Sequence, residues 1–191
     1  MNLFDTIARP YAWFYQYQVR GFEKNIPAFL DSLPQSIDSV LDVGCGTGAM
    51  CEVFLHHGLR VEGCDQSAEM LKQARRLTSP DIIYRVGDAV HGLPYPDQSF
   101  DLVIASYVAH GLSVEQRKKL YDEMNRIAKK YIVLYDYSPK RHPVSDVLER
   151  LENGDYFSFI QVIDQELLGH FGNLTKLACG SRAFWYRMDK E

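Results

Sequence analysis

The strongest constraint on the fold is an alternation of short apolar runs with amphipathic stretches that begins at residue 39. Apolar runs of this length are typical of strands buried on both faces of a sheet. They cover residues 39–43, 60–64, 81–87, 100–107 and 131–137, with helical spacing of apolar residues at 49–57, 67–77 and 113–130. Strands that alternate with helices need crossover connections, so the pattern predicts an α/β fold with a doubly wound, mostly parallel sheet.

The ends of the chain depart from this alternation. Residues 174–179 and 183–188 form two strand-like runs joined by Gly180 and Ser181, which predicts an antiparallel hairpin. Between the fifth strand and the hairpin we expect helices at 145–152 and 164–171. The first 35 residues predict one or two helices, whose aromatic residues are too many for a single buried stripe. These are Phe4, Tyr11, Trp13, Phe14, Tyr15 and Tyr17.

Length and composition limit the classes of protein to consider. A chain of 191 residues and 22.0 kDa fits one domain, which we take as residues 1–191. A net charge of -4 argues against nucleic acid and anionic lipid as partners, and no apolar run reaches the ~18 residues of a membrane span. No signal peptide is apparent, and the spacing of the four cysteines fits neither a disulfide framework nor a zinc site. We therefore expect a cytoplasmic protein with reduced thiols and no metal.

Three aspartates lie at the ends of the first three predicted strands, at the edge of the sheet where doubly wound folds bind ligands. Asp42 precedes a glycine-rich turn at 44–48, in which alternate glycines remove the Cβ atoms that would obstruct a ligand. Asp65 is placed to accept the hydroxyls of a ribose, and Asp88 to accept from an adenine amine. Each aspartate alone would more simply cap a helix or a turn, but the set predicts a nucleoside site.

The same segments carry a family resemblance. The strings VLDVGCGTG, VEGCDQSAEML and GDAVHGLPYPDQSFDLVIASYVAHGL, in this order, resemble a class I S-adenosylmethionine-dependent methyltransferase of the compact, small-molecule type. The resemblance covers residues 39–138. It implies a Rossmann-like, seven-stranded sheet in the order 3-2-1-4-5-7-6 with strand 7 antiparallel. It also implies that residues 1–35 form a helical cap over the cofactor and substrate cleft, while residues 36–191 form the core.

The resemblance further implies S-adenosylmethionine as cofactor and assigns residues to it. Asp42 would lie near the amino group, and Asp65 with Gln66 near the ribose. Asp88 and Ala89 would bind the adenine edge. The remaining cofactor-binding candidates are Gly44, Gly46, Gly48, Ser106 and Tyr11.

The acceptor side is less defined. In-line transfer needs a general base only where the acceptor loses a proton. His110 and Tyr107 are the catalytic candidates, with Asp136, Tyr137 and His142 as further bases near the strand ends. The basic helix that contains Arg117 is interleaved with acidic residues and is interpreted as a solvated face. With no added domain for a macromolecule, we expect a small-molecule acceptor and a monomer or homodimer.

Two other functions stay open. A nicotinamide-dependent oxidoreductase would use Gly44, Gly46 and Ala49 as its fingerprint, with Asp65 on the ribose. Carboxylates at positions 42 and 88 argue against a pyrophosphate there, and the Tyr186–Lys190 pair lies on a predicted strand instead of a helix. The other alternative is a methyltransferase fold kept only for binding.

Overall fold

A computed structural model describes residue 8 and residues 12–138, 156–180 and 183–190. The helices are α1 (Tyr15–Asp31), α2 (Ala49–His56), α3 (Ala68–Leu77), α4 (Val114–Ile127) and α5 (Tyr156–Phe171), with a 3-10 turn at Ala109–Gly111. The strands are β1 (Ser39–Val43), β2 (Arg60–Asp65), β3 (Ile83–Val86), β4 (Phe100–Ser106), β5 (Ala128–Tyr137), β6 (Thr175–Cys179) and β7 (Ala183–Asp189). Within these ranges no helix is long and apolar enough to cross a membrane.

The strands form one sheet in the order β3-β2-β1-β4-β5-β7-β6, which confirms the predicted topology. The pairs from β3 to β5 are parallel, while β7 runs antiparallel to both β5 and β6. β1 lies between β2 and β4, so the chain reverses its direction of winding beside β1. The carboxyl ends of β1, β2 and β4 therefore meet at the point where such folds bind ligands.

The sheet is covered on both faces, as its apolar strands require. Within β1, Val40 belongs to the core layer shared with α1, α2 and α3, whereas Leu41 and Val43 belong to the layer shared with α4 and α5. α1 is anchored by aromatic contacts: the ring of Phe29 stacks on Trp185 with centroids 4.3 Å apart. Of the N-terminal aromatic residues that are described, Tyr15 is buried and Trp13, Phe14 and Tyr17 are exposed.

The predicted helix starts are confirmed where side chains cap them. Ser67 accepts from the backbone N of Met70 at 3.2 Å, and Ser113 forms a capping box with Gln116. α4 ends at Ile127 instead of 130, because β5 already begins at Ala128.

The helix predicted at 164–171 begins earlier, at Tyr156. One face of this helix is buried and contains Phe159, Ile160, Ile163 and Leu167. The helical spacing of apolar residues therefore extends back to residue 159, although aromatic and β-branched residues in this segment favour strands. The helix predicted at 145–152 lies outside the described residues.

One charged residue of α4 contradicts the solvated-face interpretation. Arg117 is fully buried, and its Nε and Nη2 each donate to Glu166 of α5 at 2.8 Å. Its Nη1 donates to the backbone oxygen of Leu112 at 2.7 Å, and the hydroxyl of Tyr121 donates to Glu166 at 2.8 Å. This ion pair therefore ties α5 to α4 and to the segment that follows the 3-10 turn.

Removing one partner of this buried pair leaves the other charge without compensation. We expect Glu166→Gln to lower the free energy of unfolding by about 3–5 kcal/mol in urea denaturation. The double variant Arg117→Met with Glu166→Met should recover most of that loss. The exposed pair of Lys72 and Glu69 provides the control, since Lys72→Met should change stability by less than about 0.5 kcal/mol. A loss of similar size for Glu166→Gln and Lys72→Met would contradict this view.

Candidate functional site

A glycine-rich turn follows β1 and forms the centre of the candidate site. Gly44, Gly46 and Gly48 have φ angles of 74°, 53° and 79°, in the left-handed region that favours glycine. The backbone N atoms of Gly44 and Cys45 both donate to the carbonyl of Cys64, at 2.8 and 3.0 Å. The turn is thus bound to the end of β2 before α2 begins.

Two of these glycines are also required by space. A Cβ on Gly44 would lie 2.5 Å from Cγ2 of Val108, in the segment after β4. A Cβ on Gly48 would lie 2.2 Å from the hydroxyl of Tyr84 in β3. Both neighbours pack directly on the glycine backbone, so the turn contacts β3 on one side of β1 and the segment after β4 on the other.

Asp42 lies at the end of β1 and is 1% exposed. Its Oδ2 accepts from the thiol of Cys51 at 3.4 Å, while its Oδ1 is buried and has no hydrogen-bond partner among the described residues. Burial raises the pKa of Asp42 to about 7, the Cys51 hydrogen bond opposes this, and the charge of Asp65 adds to it. A buried acceptor without a partner fits the amino group that the resemblance assigns to Asp42.

Asp65 at the end of β2 is held by two backbone donors. Gly46 N donates to Oδ2 at 2.9 Å and Ser67 N donates to Oδ1 at 2.8 Å. A carboxylate oxygen can accept more than one hydrogen bond, so the group stays able to accept ribose hydroxyls while its orientation is fixed. The neighbouring Gln66 is exposed.

Asp88 after β3 is partly buried and caps its own turn. Its Oδ1 accepts from Val90 N at 2.9 Å, and its Oδ2 lies 2.8 Å from Nδ1 of His91. Ala89 is buried in the same turn. Sequence reasoning missed the His91 contact, although the spacing of three residues was visible in DAVH.

The end of β4 brings aromatic side chains to the same edge. Ser106 is partly buried, and Tyr107 has a φ of 53°, which is uncommon for a residue with a side chain. The ring of Tyr107 lies edge-on to those of Tyr135 and Tyr137, with centroids 5.3 and 5.1 Å apart. Because Val108 contacts Gly44, this aromatic group lies directly beside the glycine turn.

His110 in the 3-10 turn is buried and pairs with Asp136 of β5. Its Nδ1 lies 2.8 Å from Oδ1 of Asp136, which is fully buried. The structure thus brings Tyr107, His110, Asp136 and Tyr137 together, whereas Tyr11 and His142 lie outside the described residues. The only sequence signal for this pairing is that His110 follows the predicted strand that ends near 107, while Asp136 lies at the end of the next predicted strand. No group of His, Cys, Asp and Glu in the described ranges is arranged to hold a metal ion.

Comparison with known proteins agrees with this geometry. The profile of the family described as methyltransferase domain matches residues 41–134, which include the glycine turn, Asp65, Asp88 and His110. Residues 41–134 therefore form a domain of this methyltransferase family, the family type that the sequence resembles. The match begins in β1 and ends in β5, so it covers the part of the sheet whose strands are parallel, from β3 to β5 in the strand order.

Relatives and solved structures extend this comparison. The chain is 33% identical to ajmaline N-methyltransferase of Rauvolfia serpentina over 52% of its own length and 35% of the relative. It is 30% identical to demethylmenaquinone methyltransferase of Thermotoga maritima over 68% of its chain and 57% of the relative. A Methanococcus maripaludis protein, proposed to be an S-adenosylmethionine-dependent methyltransferase, has the same fold with a TM-score of 0.74 at 16% identity, covering 100% and 97% of the two chains. The chain spans from about a quarter to three-fifths of the length of the curated relatives it matches.

The contact between Gly44 and Val108 can be tested by stability. Gly44→Ala should lower the free energy of unfolding by about 2–4 kcal/mol, since a left-handed alanine costs about 1–2 kcal/mol and overpacking adds to it. Gly58 is the matched control, because it has a φ of 79° and open space around its Cβ position. Gly58→Ala should show only the backbone cost, and adding Val108→Ala to Gly44→Ala should remove the excess. Equal losses in the two alanine variants would contradict the packing argument.

The raised pKa of Asp42 predicts a pH dependence of stability. Folding raises this pKa from 3.8 to about 7, so the folded state binds more protons between these values and stability falls as pH rises through them. Asp42→Asn removes this penalty. Relative to wild type, it should therefore gain about 4 kcal/mol between pH 4 and 7, at about 1.4 kcal/mol per unit, measured by urea denaturation at each pH.

Asp101→Asn is the control with the opposite sign. Burial acts to raise the pKa of Asp101, but the hydrogen bond from the backbone N of Asp38, the charges of Lys130 and Lys129 and the hydrogen bond from Ser39 together lower it. Its stabilising contribution is complete above pH 4 and is lost only below, so the difference between wild type and this variant should stay constant from pH 4 to 7. A constant difference for Asp42→Asn as well would show that Asp42 ionises normally in the folded protein.

Proposed function

We propose that this protein transfers a methyl group from S-adenosylmethionine to a small-molecule acceptor. The observation that carries the proposal is the glycine turn, with an unpartnered carboxylate oxygen of Asp42 beneath it and the oriented carboxylate of Asp65 beside it. When bound, the cofactor supplies an electrophilic methyl group on a sulfonium. The chain's own task is to orient the two reactants and to exclude water from them.

The cofactor would lie across the ends of β1, β2 and β3. Asp42 faces its amino group, with the backbone of Gly44, Gly46 and Gly48 along its length. The carboxylate of Asp65 accepts from the ribose hydroxyls, beside Gln66. Asp88 and Ala89 bind the adenine, and Ser106 contacts the cofactor from β4. In this proposal α1 belongs to a cap over the cleft, whereas Tyr11 lies outside the described residues.

The acceptor would lie on the side of β4 and β5. Tyr107 is partly exposed there, so its ring is available to a sulfonium by cation–π attraction or to a flat acceptor by stacking. His110, paired with Asp136, is the base for an acceptor that loses a proton. A small acceptor is supported by the net charge of -4 and by the named substrates of the two relatives, ajmaline and demethylmenaquinone.

The oxidoreductase alternative lacks an assembled Tyr–Lys pair. The hydroxyl of Tyr186 is turned into the core and donates to the carbonyl of Tyr137 at 2.7 Å. Lys190 donates to the carbonyl of Asn125, also at 2.7 Å. The Tyr186 hydroxyl and the Lys190 ammonium group are thus used in hydrogen bonds within the fold, so neither is placed to take part in hydride transfer.

Calorimetry with S-adenosylhomocysteine tests the proposal. The wild-type protein should bind it and should not bind NAD(H). Asp65→Ala should weaken binding by about 10- to 100-fold, because hydrogen bonds to a charged group contribute about 1.5–3 kcal/mol each. Asp81→Ala, an exposed aspartate before β3, is the control and should bind as wild type does. Binding of NAD(H) alone would refute the proposal, and binding of neither would favour a protein kept only for interaction.

A further inference from the structure

The turn that contains Asp88 and Ala89 is shaped by its own hydrogen bonds. An antiparallel bridge joins Asp88 to Gly92, which has a φ of 98°. The carboxylate of Asp88 accepts from Val90 N at 2.9 Å and lies 2.8 Å from Nδ1 of His91. These bonds define the shape of the turn. They do not define its position on the sheet, because both partners of each bond belong to the turn.

Hydrogen bonds attach the turn to the fold at the residue before it and at the residue after it. Before the turn, Gly87 N donates to the carbonyl of Asp65 in β2 at 3.1 Å. After the turn, Leu93 N donates to Oε1 of Glu123 in α4 at 2.5 Å. The side chain of Leu93 also packs on the start of the turn, since a Cβ on Gly87 would lie 2.7 Å from its Cδ2. The turn is therefore held between the end of β2 and α4.

Arg126 of α4 holds this second attachment in place. Its Nε and Nη2 donate to the two carboxylate oxygens of Glu123, at 2.9 and 2.7 Å. Its Nη1 donates to the carbonyl of Tyr95 at 2.8 Å and to Oδ1 of Asp97 at 2.7 Å. Nη2 also donates to the carbonyl of Leu93 at 3.2 Å. A guanidinium has five donors in one rigid plane, so a single side chain holds the carboxylate and both carbonyls together.

We propose that Arg126 is a positioning residue that, through Leu93, keeps the carboxylate of Asp88 in place for the 6-amino group of adenine. This inference rests on the proposed function, in which Asp88 binds the adenine edge. Each oxygen of Asp88 can accept a further hydrogen bond besides the one from its own turn. Such a bond weakens steeply when its distance and angle change, so a turn attached only at Gly87 loses most of it. Arg126 thus contributes to the recognition of adenine from the opposite side of the turn.

The preference for the amino group separates this role from a general effect on stability. Calorimetry compares S-adenosylhomocysteine with the analogue that has hydrogen in place of the 6-amino group. The wild-type protein should bind S-adenosylhomocysteine about 10- to 100-fold more tightly, because the analogue cannot donate to the charged carboxylate of Asp88. A variant that is only less stable binds both compounds more weakly by the same factor.

Arg126→Met should lower this affinity ratio to about threefold or less, because the hydrogen bond from the amino group is no longer aligned. Its affinity for the analogue should change little, since the contacts to the rest of the cofactor remain. Asp88→Ala should abolish the preference and gives the lower limit of the ratio. If Arg126→Met does not fold, Arg126→Lys replaces it. One ammonium group cannot hold the carboxylate and both carbonyls in a fixed plane, so the ratio should fall part of the way.

Arg187→Met is the matched control. Arg187 likewise donates to a carboxylate, that of Asp189 at 2.7 Å, and to a backbone carbonyl, that of Ser32 at 2.8 Å. It lies in β7, on the other side of β1 from the turn, so its loss should leave the ratio unchanged.

The outcomes separate the inference from the proposed function. Absence of S-adenosylhomocysteine binding to the wild-type protein would refute the proposed function, and the inference with it. Binding together with an unchanged ratio in Arg126→Met or Arg126→Lys would refute only the role of Arg126. Equal affinity of the wild-type protein for the two compounds, or an equal fall of the ratio in Arg187→Met, would also overturn the inference.

Discussion

The structure of the candidate site depends on the hydrogen bonds that join the glycine turn to the end of β2. The carbonyl of Cys64 accepts from Gly44 and Cys45, and the side chain of Asp65 accepts from Gly46. In a parallel sheet, side chains at neighbouring strand ends lie close together but point in directions set by their loops. These bonds bind the turn after β1 and the carboxylate after β2 into one unit, so the position of each fixes that of the other.

Beneath this unit lies a group that is costly to bury. Asp42 is enclosed by the sheet and α2, where its hydrogen bond from Cys51 satisfies one oxygen and leaves the other unpaired. Burial of an unpaired polar atom costs roughly 1–3 kcal/mol in proteins. A fold selected only for stability would place an apolar residue at this position, as it does at Leu41 and Val43 on the same strand. The unpaired oxygen is therefore an argument for a ligand donor, independent of the sequence motif.

The sequence predicted the strands of the sheet, and the position of the candidate residues at the strand ends, because both depend on local signals. A few neighbouring residues are enough to recognise each apolar strand, the helix caps at Ser67 and Ser113 and the glycine turn. The burial of Arg117 was not predictable in this way, since its partner Glu166 is 49 residues distant. The pairing of His110 with Asp136 likewise depends on the register of β4 and β5, in which Ser106 lies opposite Tyr135. Local patterns contain neither of these facts.

The contact between Val108 and Gly44 connects the two sides of the proposed site. Val108 lies between Tyr107 and His110 in the chain, and its methyl group packs against the bare backbone of Gly44. The separation between the glycine turn and the acceptor residues is thus set by van der Waals contact, which is far less adjustable than a hydrogen bond to a flexible side chain. In-line transfer tolerates little error in the distance between the reacting atoms. In the proposed function, the glycine at position 44 therefore serves alignment as well as the φ angle of the turn, because the packing of Val108 sets the distance from the turn to the segment that bears His110.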